Sequence, residues 1–594
     1  MKCKICERGC KIPENGTGAC GLYENNGQGI VERFPNKYLI TCPISIETMP
    51  MLHFYMGQKF LQVSTVGCNF HCPGCISTVI VKEMNHESKA LKELSPVEIV
   101  NEAIKNNCIG IAFLMNDPIA SFYTFVKIAE AAKERNLLVG CSSNTYFTED
   151  ALNKIIKYLD FINIGIKGMS DDIYRKCGGS TVNPVIRNMK ILHNNGVCIE
   201  VSCVYTNNNE KEIIELAKKI KQISKDIPLQ IMRFIPLEEA DCSLEPSIKS
   251  SEELVKELKQ YVNYVYLFNS PGTDFLNTYC PVCGELIYKR DFYGPMGAKL
   301  KPMEGSNLVE KEICPRCSFK LSYKGSLKNV KYQEADFEGG YPFTRALEII
   351  ESILITIGVS EKNKIVKVWE YVLCNKKLKD LHLNIQNLNN YINTIKIFGK
   401  ILGYNNEAEN LARYLEEKIS IIQNGLSNVK NKPRVYYAMG KPLFCIKGGR
   451  MENQLVEAAG GISVNKELDC GGRPGMRITA KQLNKLNPDI IFISAFISNS
   501  VEDFYDECIK DGINTEAVKN KRIYTHIAPG FDFGSPRWIL GLMYIANNLH
   551  PDIFNFNVIK EAEQFYQKFY NMDFTLSNLN RSFAKPDNKW KLKA

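Results

Sequence analysis

Residues 60–77, FLQVSTVGCNFHCPGCIS, constrain this chain more than any other stretch. An apolar, β-branched run over 60–66 reads as a buried strand, and it leads directly into Cys68, Cys72 and Cys75 at C-x3-C-x2-C spacing. The thiolates are therefore expected at a strand end. Three thiolates can hold three irons of a 4Fe-4S cluster and leave the fourth open, whereas an electron-transfer ferredoxin supplies four cysteines. An open iron can bind a substrate. A zinc knuckle or buried free cysteines is the plainer reading of the same spacing.

The spacing, with Asn69 and Phe70 inside it, resembles the radical S-adenosylmethionine (radical SAM) superfamily. The resemblance implies that the open iron chelates the amino and carboxylate groups of SAM and that SAM is cleaved reductively to a 5′-deoxyadenosyl radical, chemistry the protein positions and shields. Gly74 departs from the pattern, since the residue before the third cysteine is usually aromatic.

A chain of 594 residues exceeds one hydrophobic core, and about three or four domains are expected. No run approaches the roughly 18 apolar residues of a membrane span, and the first residues open no signal peptide, so a cytoplasmic location is expected. In that setting the 22 cysteines point to metal and redox chemistry rather than disulfides. The net charge of +9 comes from lysines interleaved with glutamates, as in KEIIELAKKIKQ, which marks solvated helix faces rather than a nucleic-acid site. Only the tail over 585–593 is locally basic. With seven histidines, a histidine-based metal or acid/base site is not expected over most of the chain.

Upstream, Cys3, Cys6, Cys10 and Cys20 stand on Gly-rich loops as C-x2-C-x3-C-x9-C, a set that suits zinc or a second iron-sulfur cluster. From residue 60 to about 270, short apolar runs alternate with amphipathic periods. Strands are expected at 60–67, 108–115, 137–142, 161–166, 197–205 and 229–234, with helices between them such as SPVEIVNEAIKNN, where Ser95 and Glu98 form a capping box around Pro96. Six strand-helix units predict an α/β fold with a partial (β/α)6 TIM-like barrel. Chemistry in such barrels gathers at the C-terminal strand ends, and there this sequence places Asn116 and Asp117, Ser143 and Asn144, Lys167, and Arg233.

The Cys-rich start, the PMLHF approach, CNFHC, Asn116-Asp117-Pro118, Ser143-Asn144, Glu200, the RFIP segment and NTYCP together resemble the AmmeMemoRadiSam-type radical SAM proteins, relatives of the pyruvate formate-lyase activating enzyme, over residues 1–325. The resemblance implies that Asn116 and Asp117 hold the amino group of SAM and that Asn144 and Lys167 face SAM or substrate. Lys167 and Arg233 are then the catalytic candidates, and Asn116, Asp117, Ser143, Asn144 and Lys167 the cofactor-binding set. Two departures affect the substrate. Gly165 stands where the family has an acidic partner for the lysine, and Gln230 and Ile235 replace its histidines.

Paired C-x2-C knuckles, Cys280/Cys283 and Cys314/Cys317, predict a closed, structural zinc ribbon, with a rubredoxin-like iron site as the alternative. Beyond a charged linker at 331–338, residues 341–430 read as helices, including 407–422. An α/β lobe follows, with strands at 435–439, 490–494 and 523–525 and helices at 452–459 and 478–486. The stretches PRVYYAMGKPLF, NQLVEAAGGISV, ITAKQLNKLNPDIIFIS and GSPRWILGLMYIANNLHPDIF resemble the solute-binding component of cobalamin, haem and ferric-siderophore importers. In such proteins two lobes close on a chelate. Here one lobe looks truncated to helices, so the barrel mouth is expected to supply the second jaw, with Tyr437, Lys441, Arg450, Arg473, His526 and Trp538 as lobe-side candidates.

The expected domains are a Cys-rich segment over 1–58, a radical SAM barrel over 59–270, a ribbon over 271–326, and a periplasmic-binding-protein-like domain over 341–594. The leading functional expectation is a radical SAM enzyme that modifies a tetrapyrrole, corrinoid or other metal chelate, served by an electron donor such as ferredoxin or flavodoxin. An activase that places a glycyl radical on a partner protein is one alternative. A cytoplasmic chelate carrier whose iron-sulfur site serves electron transfer or sensing is the other.

Overall fold

The computed structural model describes residues 1–236, 241–301, 312–328, 340–375, 377–471, 473–497 and 500–574. The linker at 331–338 and the basic tail at 585–593 lie outside the described residues.

Eight strands form the first sheet: β1 (Ile40–Ser45), β2 (Lys59–Ser64), β3 (Gly110–Phe113), β4 (Leu138–Ser143), β5 (Phe161–Ile166), β6 (Cys198–Tyr205), β7 (Leu229–Arg233) and β8 (Val265–Phe268). They pair in sequence order from β8 to β1, and all neighbours are parallel except β1 with β2. The six expected strands form with their ends no more than three residues from the predicted ones. β1 and β8 were not anticipated. β1 contains Pro43, which removes a ladder donor and suits the edge strand it becomes, and β8 is a short apolar run. The helix Pro96–Lys105 starts with the expected capping box, Ser95 Oγ accepting from Glu98 N while Glu98 accepts from Ser95 N.

Alternation along each strand separates two faces. Ile111, Val139, Ile162, Ile164, Val201 and Ile231 pack under the crossover helices, where each such buried side chain contributes about 1.5–3 kcal/mol. The opposite face is layered. At the N-terminal strand ends Phe60, Ala112 and Phe161 close on Met49, Met51 and Phe54, an apolar plug contributed by the segment that precedes β2. Above it lies a polar layer: Gln230 Nε2 donates to Glu200 Oε2 at 2.6 Å, the His53 N–H to Glu200 Oε1 at 2.7 Å, Asn163 Nδ2 to Gln230 Oε1 at 3.1 Å, and Ser202 Oγ to Asn163 Oδ1 at 2.8 Å. The plug and this layer fill the lower part of the sheet, which leaves the C-terminal strand ends as the open mouth.

The ribbon attaches below, where Lys324 N donates to His53 O and Tyr55 N to Lys324 O, both at 2.8 Å. Beyond residue 340 the chain forms five helices, Gly340–Thr356, Lys362–Cys374, Leu378–Asn384, Leu388–Leu402 and Asn405–Gly425. Next come β9 (Arg434–Met439), β10 (Lys441–Ile446), β11 (Gly475–Arg477), β12 (Ile490–Ile493) and β13 (Ile523–Thr525), ordered β11-β10-β9-β12-β13, with Ile462–Ser463 also on β9. β10 and β11 were not read from the sequence. Both pair antiparallel and are short or Pro-containing.

The C-terminal unit docks tightly on the first. Gly440 takes φ +72°, and a Cβ there would lie 2.9 Å from Pro271 O. Gly272, at φ +84°, would bring one within 2.7 Å of Lys441 Cβ. Lys441 Nζ bridges Glu252 at 3.0 Å and Glu507 at 3.1 Å, Arg473 pairs with Asp291, Arg477 pairs with Asp274, and Phe292 meets Phe444 edge-on at 5.5 Å. One hydrophobic core runs through Tyr266, Phe268 and Phe292 into the C-terminal helices and sheet.

Candidate active site

The cysteine loop leaves β2 at the mouth, and its first residues are pinned by a side chain from the neighbouring strand end. Asn116 Nδ2 donates to Thr65 Oγ1 at 2.8 Å and to Gly67 O at 3.0 Å, while Thr65 N donates to Asn116 Oδ1 at 3.0 Å. Both ends of this amide are thus committed to the loop. Gly67, at φ +91°, has no room for a side chain because a Cβ would press within 2.6 Å of Leu22. Arg8 Nη1 donates to Asn69 O at 2.6 Å, so the Cys-rich N-terminus braces the same loop from outside.

Asp117 is buried. Its carboxylate accepts Asn144 N at 2.6 Å, Ile119 N at 3.0 Å and Ser143 Oγ at 3.0 Å. Burial pushes this carboxyl above the usual range, and those three donors oppose the rise. Asn144 in turn donates to Asn69 Oδ1 at 2.7 Å and reaches to 4.0 Å from Cys68 Sγ. A continuous polar chain therefore runs from Asp117 through Asn144 and Asn69 to the first cysteine. Asn116, Asp117, Ser143 and Asn144 are brought together.

Lys167 stands exposed at the end of β5. Crowding by protein works against its charge, but Cys72, Cys68, Cys75 and then Asp117 outweigh it, and the ammonium is held above its ordinary value. A Cβ on Gly165 would lie 3.6 Å from Lys167 Nζ, so the position that lacks the family's acidic residue is next to the ammonium. Burial raises the Cys68 and Cys75 thiols, whereas a hydrogen bond with Cys177 brings Cys72 down to about 6.

Arg233 does not belong to this group. It ends β7 as expected, but its guanidinium is fully buried, paired with Glu245 at 3.0 Å and donating to Asn269 O at 3.0 Å and Pro246 O at 2.9 Å. A strand-end position did not reveal that these partners enclose it. These contacts tie the β7 and β8 ends together. Thr65, Arg8 and Cys177 carry contacts at the loop that the sequence reading missed, since none of them is one of the residue positions that define a motif.

In the ribbon, the four sulfurs of Cys280, Cys283, Cys314 and Cys317 lie within 4.8 Å of one another, with 3.5 Å between Cys280 and Cys317 and between Cys283 and Cys314. Two matching knuckles make this possible: Gly284 N donates to Cys280 O and Ser318 N to Cys314 O. This donor set fits a tetrahedral metal. The N-terminal thiols are neighbours as well, because burial and then the charges of Cys3, Cys20 and Cys10 push Cys6 up to about 12.

The six lobe-side candidates make contacts within the protein. Tyr437, His526 and Trp538 are fully buried, with Tyr437 Oη against His526 Nε2 and 3.4 Å from Asp532 Oδ2. Lys441 and Arg473 are consumed in the docking ion pairs, and Arg450 pairs with Glu452 and lies 4.5 Å over Phe533. The C-terminal unit meets the mouth elsewhere. Its helix Lys362–Cys374 packs on the π-helix Val79–Glu83 that follows the third cysteine, and Leu114 and Met115 at the end of β3 pack against the shared core.

With this geometry in place, comparison with known proteins is decisive for the first unit. Residues 63–220 match the model of the Radical SAM superfamily. The chain carries a radical SAM domain. Residues 339–528 match the periplasmic binding protein model, so the radical SAM domain is followed by a periplasmic-binding-protein-like α/β domain. An uncharacterized protein of Methanocaldococcus jannaschii is 28% identical over 330 residues, which is 54% of this chain and 95% of that protein. Similar solved structures include a periplasmic solute binding protein from Veillonella parvula, with 26% identity, TM-score 0.31, and coverage of 35% of this chain and 65% of that one. Helicobacter pylori CeuE in a Ni-His complex gives 23%, 0.28, 32% and 60%, and the Haemophilus influenzae molybdate periplasmic binding protein MolA gives 18%, 0.28, 32% and 58%. The chain spans less than two thirds of the length of each of these binding proteins. Among the described residues, no helix is long and apolar enough to cross a membrane.

Proposed function

We propose that this chain is a cytoplasmic radical SAM enzyme in which Cys68, Cys72 and Cys75 hold a 4Fe-4S cluster, and that it acts on a small metal-chelate-type molecule, of tetrapyrrole or corrinoid class, between the barrel mouth and the C-terminal unit. The observation that carries the reading is the convergence of three cysteines, the Asp117–Asn144–Asn69 chain and Lys167 on one mouth. The soft donor set suits iron and sulfide, and the facing ammonium offsets thiolate charge. When bound, the cluster supplies the electron that splits SAM. Asn116 shapes the loop that holds it, Asp117 fixes the Asn144 backbone and offers a buried carboxylate to the SAM amino group, and Lys167 supplies a cation to the substrate side. The ribbon takes zinc and serves structure, and the N-terminal thiols take zinc or a second cluster. The domain divisions at 58, 270 and 326 follow these roles.

Contact between the helix Lys362–Cys374 and the segment after Cys75 supports a substrate site shared by the two units. The test uses the full chain, because the core is continuous across the seam and an excised lobe would expose it. Anaerobically reconstituted protein is expected to bind cobalamin or haem more tightly with SAM than without. SAM cleavage without binding of either probe would reject the chelate class and favour the activase reading.

A further inference from the structure

The turn that leaves β4 at the mouth is strained. Thr145 takes φ +57°, a left-handed conformation that a β-branched residue rarely adopts, and it is fully buried directly after Asn144. Within the turn, Thr145 N donates to Ser143 Oγ at 2.9 Å and Tyr146 N to Asn144 Oδ1 at 3.0 Å, so the turn fixes the direction of the Asn144 amide. The other end of that amide donates to Asn69 Oδ1 at 2.7 Å. Strain of this kind persists only where surrounding contacts over-determine it.

Those contacts come from two sides. Asn188, fully buried, donates through Nδ2 to Thr145 O at 2.9 Å and to Phe147 O at 2.8 Å. The N-terminal segment runs along the other side of the turn, where Glu7 N donates to Tyr146 O at 3.0 Å, Thr148 N donates to Ile5 O at 3.1 Å, and Cys6 pairs antiparallel with Phe147. Arg187 Nη2 fastens Glu7 Oε1 at 2.8 Å and Phe147 O at 3.1 Å. The next residue, Arg8, donates through Nη1 to Asn69 O at 2.6 Å. Two consecutive residues thus grip both partners of the Asn69–Asn144 pair. Hydrogen bonds close a ring through Arg8, Asn69, Asn144, Tyr146 and Glu7.

We propose that Arg8 is a positioning residue: it holds Asn69 while Glu7 holds the strained turn, so that the Asn69–Asn144 pair is set for SAM. Arg8 then acts on SAM affinity rather than on the bond-breaking step. This rests on the reading of the mouth as a SAM site, and the experiment separates the two. SAM affinity is read in the full-length reconstituted protein from the cluster whose EPR signal changes when SAM is added. If no signal responds in the wild type, the reading of the mouth fails and the inference falls with it. If one responds, Arg8→Ala is expected to weaken SAM binding about tenfold, the loss of a charge-assisted hydrogen bond, with the rate at saturating SAM within about twofold of wild type. Arg8→Lys keeps the charge without the planar fork; its affinity is expected to fall between the two, and it covers the case in which alanine misfolds. In a Thr145→Gly background the left-handed turn carries no Cβ strain, and the loss caused by Arg8→Ala should shrink by at least about twofold. Wild-type affinity in either folded Arg8 variant overturns the proposal. An equal loss in both backgrounds, or a loss confined to the rate at saturating SAM, also overturns it.

Discussion

The carboxylate of Asp117 accepts the backbone N–H of Asn144 at 2.6 Å, locking the ends of β3 and β4 together one side chain away from the cysteine loop. Removing that carboxylate leaves the Asn144 N–H, the Ile119 N–H and the Ser143 hydroxyl without their acceptor. Asp117→Ala is expected to weaken SAM binding by about 1.5–3 kcal/mol, the value of a charge-assisted hydrogen bond. Calorimetry on the reconstituted protein would show it, and unchanged SAM affinity would contradict it.

Asn116 is expected to act one step earlier. Both ends of its amide hold Thr65 and Gly67, so Asn116→Ala loosens the loop itself. Iron incorporated by the SAM-responsive cluster should fall in Asn116→Ala and stay near wild type in Asp117→Ala. The reverse order would show that Asn116 faces the cofactor instead.

Arg233→Met breaks a fully buried ion pair and leaves Glu245 without it. The cost is expected at about 3–5 kcal/mol of stability. SAM affinity of the folded protein should be unaffected, and a selective loss of turnover at wild-type stability would place Arg233 in the catalytic set.

Glu200 gives a pH dependence. Burial raises its carboxyl from 4.5 to about 8, against hydrogen bonds from His53, Leu52 and Gln230. The folded state therefore holds a proton that the unfolded state has released between those values. Its contribution to stability is complete below about pH 4.5 and is lost as pH rises through about 8, a change of a few kcal/mol. Urea unfolding should show wild type losing stability relative to Glu200→Gln between pH 5.5 and 8.5, values chosen at roughly one unit above 4.5 and just above 8. A gap that is constant with pH would place the proton elsewhere.

The ribbon should couple metal to the base of the barrel. His53 Nδ1 donates to Ser322 O and its other nitrogen accepts from Tyr266 Oη at 2.6 Å, so a loosened ribbon releases a buried histidine. Cys317→Ser is expected to lose the ribbon metal and lower the unfolding midpoint, because binding and folding are coupled at such sites. A variant without that metal but with the wild-type midpoint would show the ribbon to be dispensable.

The strands of the barrel were legible because buried parallel strands are continuous apolar runs between amphipathic helices, as 161–166 shows without a shift at either end. β1 was hidden by Pro43, and β10 by Pro442 beside the Gly440 turn. Strand-end polar residues identified the mouth as a group, but one strand end looks like another in sequence. Only the fold distinguishes Asp117, which joins two strands at the loop, from Arg233, which is enclosed with Glu245. Tyr437 and His526 were read as ligand-facing because aromatic and cationic groups suit a carboxylate-bearing chelate, yet the two bond each other within the core of the C-terminal sheet. Cys177 had no signal at all, since its backbone contact with His71 spans a strand, a loop and a helix.

The central claim is that Cys68, Cys72 and Cys75 make this mouth a SAM-cleaving centre. Full-length protein, reconstituted anaerobically and given dithionite and SAM, should release 5′-deoxyadenosine, and the variant with alanine at all three positions, its ribbon metal intact, should release none above background. Equal release by that variant would contradict the account.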